Sequence, residues 1–415
     1  MARLVEFDVV RSTGELVELI AGLERLKSAA AALQGRASVQ LRRLREREAA
    51  DEGRSVRTVS RSVAAEIALA RRESPHKGAQ LLGLAGVLAS EMPLTHAAFA
   101  AGQISEWRAT LVARETACLS REDRVAVDAE LSSRLRDLSD RQLVAETRRI
   151  AYATDPYGVM ARIGQAESDR RVTIRPAPDC MAKISALLPV AQGVAVHAAL
   201  IGATDGARAT GDVRTRGQIM ADTLVQRVTG QASADVVSVE VQLVMTDESL
   251  LSDSTTPSRL AGYGPIPAGL GRRLAAAACN NERLWLRRLY TSPSGGRLVA
   301  MESKRRRFPS GLKRLIAVRD EICRTPWCGA PIRHTDHVVP VRVGGPTSAD
   351  NGQGLCERCN QIKETPGWRS RPGPDGVVWI RTPTGHEHAS RPPELPHRST
   401  QSLPTPLSVD LRFAA

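Results

Sequence analysis

The chain has 415 residues, of which 42% are hydrophobic and 25% charged, and a formal net charge of +13. That length holds two or three domains with ample buried core, and the balance of apolar to charged residues is that of a globular protein rather than a disordered one. The positive excess favours a polyanionic partner; with only six lysines it is almost wholly arginine, a side chain that grips phosphate bidentately.

The first twelve residues carry Glu6 and Asp8 and no apolar run, unlike a secretory leader. No apolar stretch approaches the roughly 18–20 residues needed to span a bilayer. The expectation is a cytoplasmic protein with no membrane partner, whose thiols stay reduced. The first half then reads as helical. Leu16, Leu19, Leu23, Leu26 and Ala30 recur at three- and four-residue steps and give one apolar face. Similar stripes run over 63–72, 78–88 and 104–112, punctuated by Ser74-Pro75, Met92-Pro93 and Asp155-Pro156. The dense charged run over 43–54 reads as a solvated helix face. No repeat of fixed period is visible.

Strand patterns come later. Residues 171–175 (RVTIR) are short and β-branched, and 236–245 (VVSVEVQLVM) alternate best of any segment. Residues 284–290 and 297–301 flank Pro293-Ser294-Gly295-Gly296 and read as a hairpin. Beyond Pro366 the chain is rich in Pro, Gly and Ser, with one further strand expected at 377–381 and a loose tail after it. The division expected is a helical domain over 1–232, a mixed connecting segment over 233–303, a small module over 304–368, and a terminal strand with a Pro-rich tail over 369–415.

Chemistry concentrates in the small module. Cys323 and Cys328 are four residues apart, and Cys356 and Cys359 two. Each pair closes a tight knuckle, and together they offer four thiolates for tetrahedral Zn²⁺. A closed site of four thiolates has no open position, so this metal would be structural, holding a segment too small for its own core. Between the knuckles lie His334-Thr335-Asp336-His337-Val338-Val339-Pro340, then Gly344-Gly345, then Asn351; Asn360 and Lys363 follow the second knuckle. Residues 338–343 suggest a strand, the two glycines a turn, and 360–363 a short helix. The fold class expected is a mainly α N-terminal domain with a small α+β segment, followed by a zinc-stapled ββα finger. Lys304, Arg305, Arg306, Arg307, Lys313 and Arg314, with Arg319, Arg324 and Lys363 beyond them, are expected to meet phosphates of a nucleic acid. His334 reads as structural or close to DNA, and His386 and His388 as exposed loop residues.

In order and spacing, Asp336-His337, the Gly-Gly turn, Asn351 and the run from Cys356 to Lys363 resemble the HNH endonucleases, the ββα-metal or His-Me finger nucleases. The resemblance implies that His337 is the general base, that Asp336 and Asn360 ligate a catalytic divalent ion, and that Asn351 fixes the hairpin and orients the base. It implies DNA as partner and products with a 5′ phosphate and a 3′ hydroxyl. Asn360 stands where the name-giving pattern has its last histidine. An amide is a poorer ligand for transition metals than imidazole, which favours Mg²⁺ or Mn²⁺ at the catalytic site. Asp336 and His337 are adjacent, so on a regular strand they point to opposite faces and can share a site only at an irregularity or at the strand's end.

Segments 64–68, 100–105, 169–173 and 214–218 (AAEIA, AAGQIS, DRRVT, RTRGQ) resemble bacterial proteins that join an α-helical domain of unknown role, of the DUF222 type, to a C-terminal HNH module. The helical domain could recognise DNA, pair with a second copy or bind another partner. The alternatives to an endonuclease are a non-catalytic zinc module that binds nucleic acid, and an assembly protein whose helical domain does the main work.

Overall fold

The computed structural model describes residues 12–231, 242–280, 302–303 and 307–394. Among them eight α-helices come first: α1 (Thr13–Asp51), α2 (Val56–Arg71), α3 (Pro75–Ser90), α4 (Pro93–Ala100), α5 (Glu106–Glu115), α6 (Arg121–Leu131), α7 (Asp140–Thr154) and α8 (Pro156–Ser168). Pro75, Pro93 and Pro156 take first-turn positions, where a missing N–H breaks no helical bond. Side-chain oxygens of Ser12, Ser74, Ser105, Ser120 and Ser139 cap the helices that follow them. Met92 precedes α4 and cannot cap it. Asp128 of α6 does so instead, its buried carboxylate accepting from Leu94 N at 2.7 Å and Thr95 N at 2.9 Å.

Met92, Phe99, Ile104, Val112, Val127, Leu131, Leu143 and Ile150 pack into one core, and Val59, Val63, Ile67 and Leu82 into a second beside it. The apolar stripe of 16–30 does lie on a helix, but its burial begins late. Leu23 and Leu26 stay exposed, and Ser28 and Ala32 are the first buried positions, where neighbouring helices begin to cover α1.

β1 (Arg171–Ala177) and β2 (Met181–Leu187) form an antiparallel ribbon, so the strand expected at 171–175 is present. α9 (Val190–Ala209) and α10 (Arg216–Thr229) follow. A small mixed unit comes next: β3 (Leu243–Val244), α11 (Asp247–Leu251), β4 (Ser258–Leu260), β5 (Gly264–Ile266) and α12 (Ala268–Asn280). Most of the strand expected over 236–245, the whole hairpin over 284–301, and Lys304, Arg305 and Arg306 lie outside the described residues. No single described helix is long and apolar enough to cross a membrane.

The C-terminal region contains β6 (Glu302–Ser303), α13 (Ser310–Asp320), β7 (His334–His337), β8 (Thr347–Ser348), β9 (Gly352–Leu355) and α14 (Glu357–Lys363). It closes with a three-stranded sheet of β10 (Arg369–Pro372), β11 (Val378–Arg381) and β12 (Glu387–Ser390). β7 pairs antiparallel with β9, from His334 opposite Leu355 to His337 opposite Gly352. α13 packs on one face of this pair through Leu312 and Ile316, with Phe308 just before it in the same cluster. Gly352 makes that approach possible, because a Cβ there would sit 2.3 Å from Ile316 Cδ1. α14 lies on the other face.

Two expectations fail here. Residues 338–343 are not a strand: β7 ends at His337, and 341–343 form a 3₁₀ turn. Pro340 offers no N–H to a ladder, and Val338 turns inward to pack with Val378 and Ile380. The region after Pro366 also holds three short strands on the finger rather than one strand and a tail; residues from 395 on lie outside the described set.

Arg319 and Arg324 are likewise not phosphate contacts. Both turn inward to Asp320, which is fully buried. Asp320 also accepts Gly354 N at 2.7 Å, while Arg319 donates to Ala349 O and Gly352 O, and Arg324 to Gly376 O and Ser390 O. Burial on this scale is tolerated because Asp320 pairs with both guanidiniums and most of their N–H groups meet acceptors.

Candidate metal centre and catalytic finger

Four sulfurs meet at the base of the finger. The ligand atoms of Cys323, Cys328, Cys356 and Cys359 all lie within 4.8 Å of one another. Cys328 Sγ is 3.8 Å from Cys356 Sγ and 3.7 Å from Cys359 Sγ. A tetrahedral zinc with Zn–S of about 2.3 Å spaces its sulfurs by about 3.8 Å, whereas a disulfide needs about 2.05 Å. The cluster therefore has the spacing of a tetrathiolate site and could hold a structural metal such as zinc. Contacts among the crowded thiols split their acidities. Cys328 draws Cys323 down to about 7; Cys323 in turn pushes Cys328 and Cys359 up and draws Cys356 down. Four thiolates side by side repel one another, and a divalent cation relieves that conflict.

The second knuckle doubles as a helix start. Cys356 Sγ accepts from Cys359 N at 3.4 Å and caps α14. The helix thus begins at Glu357, earlier than the Asn360 start expected, and Asn360 lies within it, one turn before Lys363.

His337 occupies the last position of β7. Its ring centroid stands 4.3 Å from that of Phe308, tilted by 36°, and its Nε2 meets Thr347 Oγ1 at 2.9 Å. One contact fixes the ring plane and the other its rotation. Asp336, one residue earlier, faces α14, where Lys363 Nζ pairs with its carboxylate and also donates to His337 O at 2.6 Å. The contacts made by the two side chains fall on opposite faces of β7, as strand alternation requires, and both residues sit at the strand's end. Lys363 differs from its expected role as a DNA contact, since its side chain is 9% exposed and turned inward. Arg307, Lys313 and Arg314 are exposed. His334, on the Asp336 face by alternation, is exposed too.

Asn351 is 2% exposed and ties the loop after β7 to β9. Its Oδ1 accepts from Val339 N at 2.8 Å, and its Nδ2 donates to Val339 O at 2.9 Å and to Pro346 O at 2.8 Å. Its backbone O accepts from Val338 N at 2.7 Å. Gly345 permits this closure, because a Cβ would lie 1.8 Å from Val339 O. Asn351→Ala leaves one buried N–H and two carbonyls without partners. At roughly 1–3 kcal/mol per orphaned group, the finger should lose about 3 kcal/mol, read from the urea midpoint of the zinc-loaded chain.

Asn360 Oδ1 is buried and has no hydrogen-bond partner. An orphaned acceptor oxygen one turn from Lys363, with Asp336 beside that ammonium, suits a hard cation that takes oxygen ligands. Asp336 and Asn360 each offer an oxygen donor of the kind a hard divalent cation takes. Sequence reasoning missed Phe308, Thr347 and Asp320. Nothing in their spacing marks them, because each acts through the fold.

Comparison with protein families gives two matches. The family described as a domain of unknown function, DUF222, matches residues 20–320, and HNH endonuclease matches residues 323–365. No curated protein and no solved structure matches the chain. The second match supports a nuclease-type function, one exercised on nucleic acid.

Proposed function

The chain belongs to the DUF222 family, and from that premise we propose that its C-terminal finger is a metal-dependent DNA endonuclease with His337 as general base. The observation that carries this reading is the imidazole at the end of β7, braced by Phe308 and Thr347 and one residue from a carboxylate already matched to a cation. The target phosphate would lie across the end of β7, where the two faces meet. The imidazole takes a proton from the attacking water, the water oxygen bonds to phosphorus, and the bond to the 3′ oxygen breaks. The products carry a 5′ phosphate and a 3′ hydroxyl, the latter protonated from solvent. A Mg²⁺ or Mn²⁺ ion held by Asp336 and Asn360 would supply Lewis-acid stabilisation of the developing phosphate charge. Asn351 keeps the loop beside His337 closed, and Arg307, Lys313 and Arg314 face solvent where phosphates can approach.

The catalytic unit is taken as 304–368, with the 369–394 sheet packed on it, the helical domain over 1–232, and 233–303 connecting them. Lys363 raises a second reading. Its hold on Asp336 is also what a finger kept only as a zinc-bound DNA-binding scaffold would display. Conversion of supercoiled plasmid to the nicked form by the zinc-loaded chain in Mg²⁺ or Mn²⁺ supports the enzyme; binding without any nicking supports the scaffold.

The Lys363 ammonium and a metal ion would compete for one carboxylate. Lys363→Met removes the like charge, so Mn²⁺ titration followed by electron paramagnetic resonance should show several-fold tighter binding than in the parent chain. Unchanged or weaker binding would contradict an ion at Asp336.

A further inference from the structure

The helical domain is joined to the finger through α2. Trp368 Nε1 donates to Ser62 Oγ at 2.7 Å, and Thr384 N donates to the buried Glu66 at 3.3 Å. Arg61, exposed, is the residue next to Ser62, and Arg57, also exposed, lies one turn before it. On α1, Arg43 and Arg47 are exposed in the same i, i+4 relation. A hydrogen bond of 2.6 Å from Ser60 Oγ to Glu46 Oε1 joins the two helices at this level. Arg43 and Arg47 flank Glu46, and Arg57 and Arg61 flank Ser60, so that bond brings the two pairs side by side. Among the described residues none of the four forms an ion pair. Between positions 36 and 61 the chain has eight arginines and four carboxylates. Of those carboxylates, Glu46, Glu48 and Glu52 serve Arg42, Arg45 and Arg54.

We propose that Arg43, Arg47, Arg57 and Arg61 form a second nucleic-acid surface, on the helical domain, that holds the phosphate backbone of duplex DNA beside the finger. The partner follows from chemistry. Unpaired guanidiniums in a patch, without interleaved aromatic side chains, match a line of phosphates and read no bases. This gives the helical domain a task, which is to add sequence-neutral affinity to that of the finger's own exposed cations, such as Arg307, Lys313 and Arg314. The choice of DNA rests on the nuclease reading above.

The test is binding of a fluorescent 30-base-pair duplex to the full zinc-loaded chain carrying His337→Ala, so that cleavage does not intrude, over a salt series. Arg57→Gln/Arg61→Gln and Arg43→Gln/Arg47→Gln are compared with Arg136→Gln/Arg141→Gln, a charge-matched control on exposed arginines elsewhere. Equal melting temperatures establish that all three pairs fold. Each lost phosphate contact lowers the slope of log affinity against log salt by about 0.9, so either test pair should lower it by about 1.8 and weaken binding roughly 60-fold at 0.1 M salt. The control should leave both unchanged. Test pairs that bind like the control, in a chain that does bind DNA, overturn the arginine surface and leave the nuclease reading standing. A parent chain that fails to bind duplex DNA at 0.05 M salt overturns both.

Discussion

His337→Ala is expected to reduce plasmid nicking by at least 100-fold while leaving zinc content and melting unchanged. A positioned base contributes on the order of 10²–10⁴ in rate, and among the described residues no second imidazole is held by both an aromatic ring and a hydroxyl. His334 is exposed at the far end of the same strand, and His386 and His388 lie at the final sheet. The side chain sits at the rim of the Phe308 and Ile316 core, so its truncation removes a ring contact and the Thr347 hydrogen bond but opens no deep cavity. The two readouts should separate: activity falls and the fold stays. A variant that nicks at the parental rate would remove the base assignment. One that loses zinc together with activity would show that the residue is needed for the fold.

Cys356→Ser should have the largest effect on structure. Cys356 is one of the four clustered thiols, and its sulfur also caps α14. A serine hydroxyl can still cap a helix, so loss of the thiolate is what the variant probes. Structural zinc contributes apparent binding free energies of about 10–16 kcal/mol in small zinc modules, more than most domains' whole stability. The finger should therefore unfold in the variant, with less than one zinc per chain and rapid proteolysis between the knuckles. α1–α7 should still melt as a unit, because their core is separate. An unchanged melting profile with full zinc content would count against the tetrathiolate site.

What the sequence made legible was what short spacing encodes. The two cysteine pairs could be located because a metal knuckle demands a short spacing, and the Asp336-His337 doublet, Asn351 and Asn360 because their order resembles the HNH pattern. The prolines that open α3, α4 and α8 were legible because a residue without an N–H fits the first turn and not the helix interior. What was not legible depended on packing across the chain. Arg319 and Arg324 look like any arginines in a basic run, and only the placement of Asp320 between them and Gly354 turns them inward. Lys363 looked like a phosphate ligand until β7 brought Asp336 against α14. The β-branched stretch after His337 promised a strand, but Asn351 takes its backbone groups and Pro340 ends the ladder. The α1 stripe was right in period and wrong in burial, since periodicity shows which face is apolar and not how far a neighbour reaches along it.

The proposed function requires hydrolysis at the finger's edge by this chain's own side chains. A single-turnover reaction of the zinc-loaded protein with a 5′-labelled duplex, with and without added Mg²⁺ or Mn²⁺, tests it most directly, because the product ends report the bond that breaks. Cleavage is expected only with the added ion, giving fragments with a 5′ phosphate and a 3′ hydroxyl. Intact duplex under every ion tried, or fragments ending in a 3′ phosphate, would contradict it.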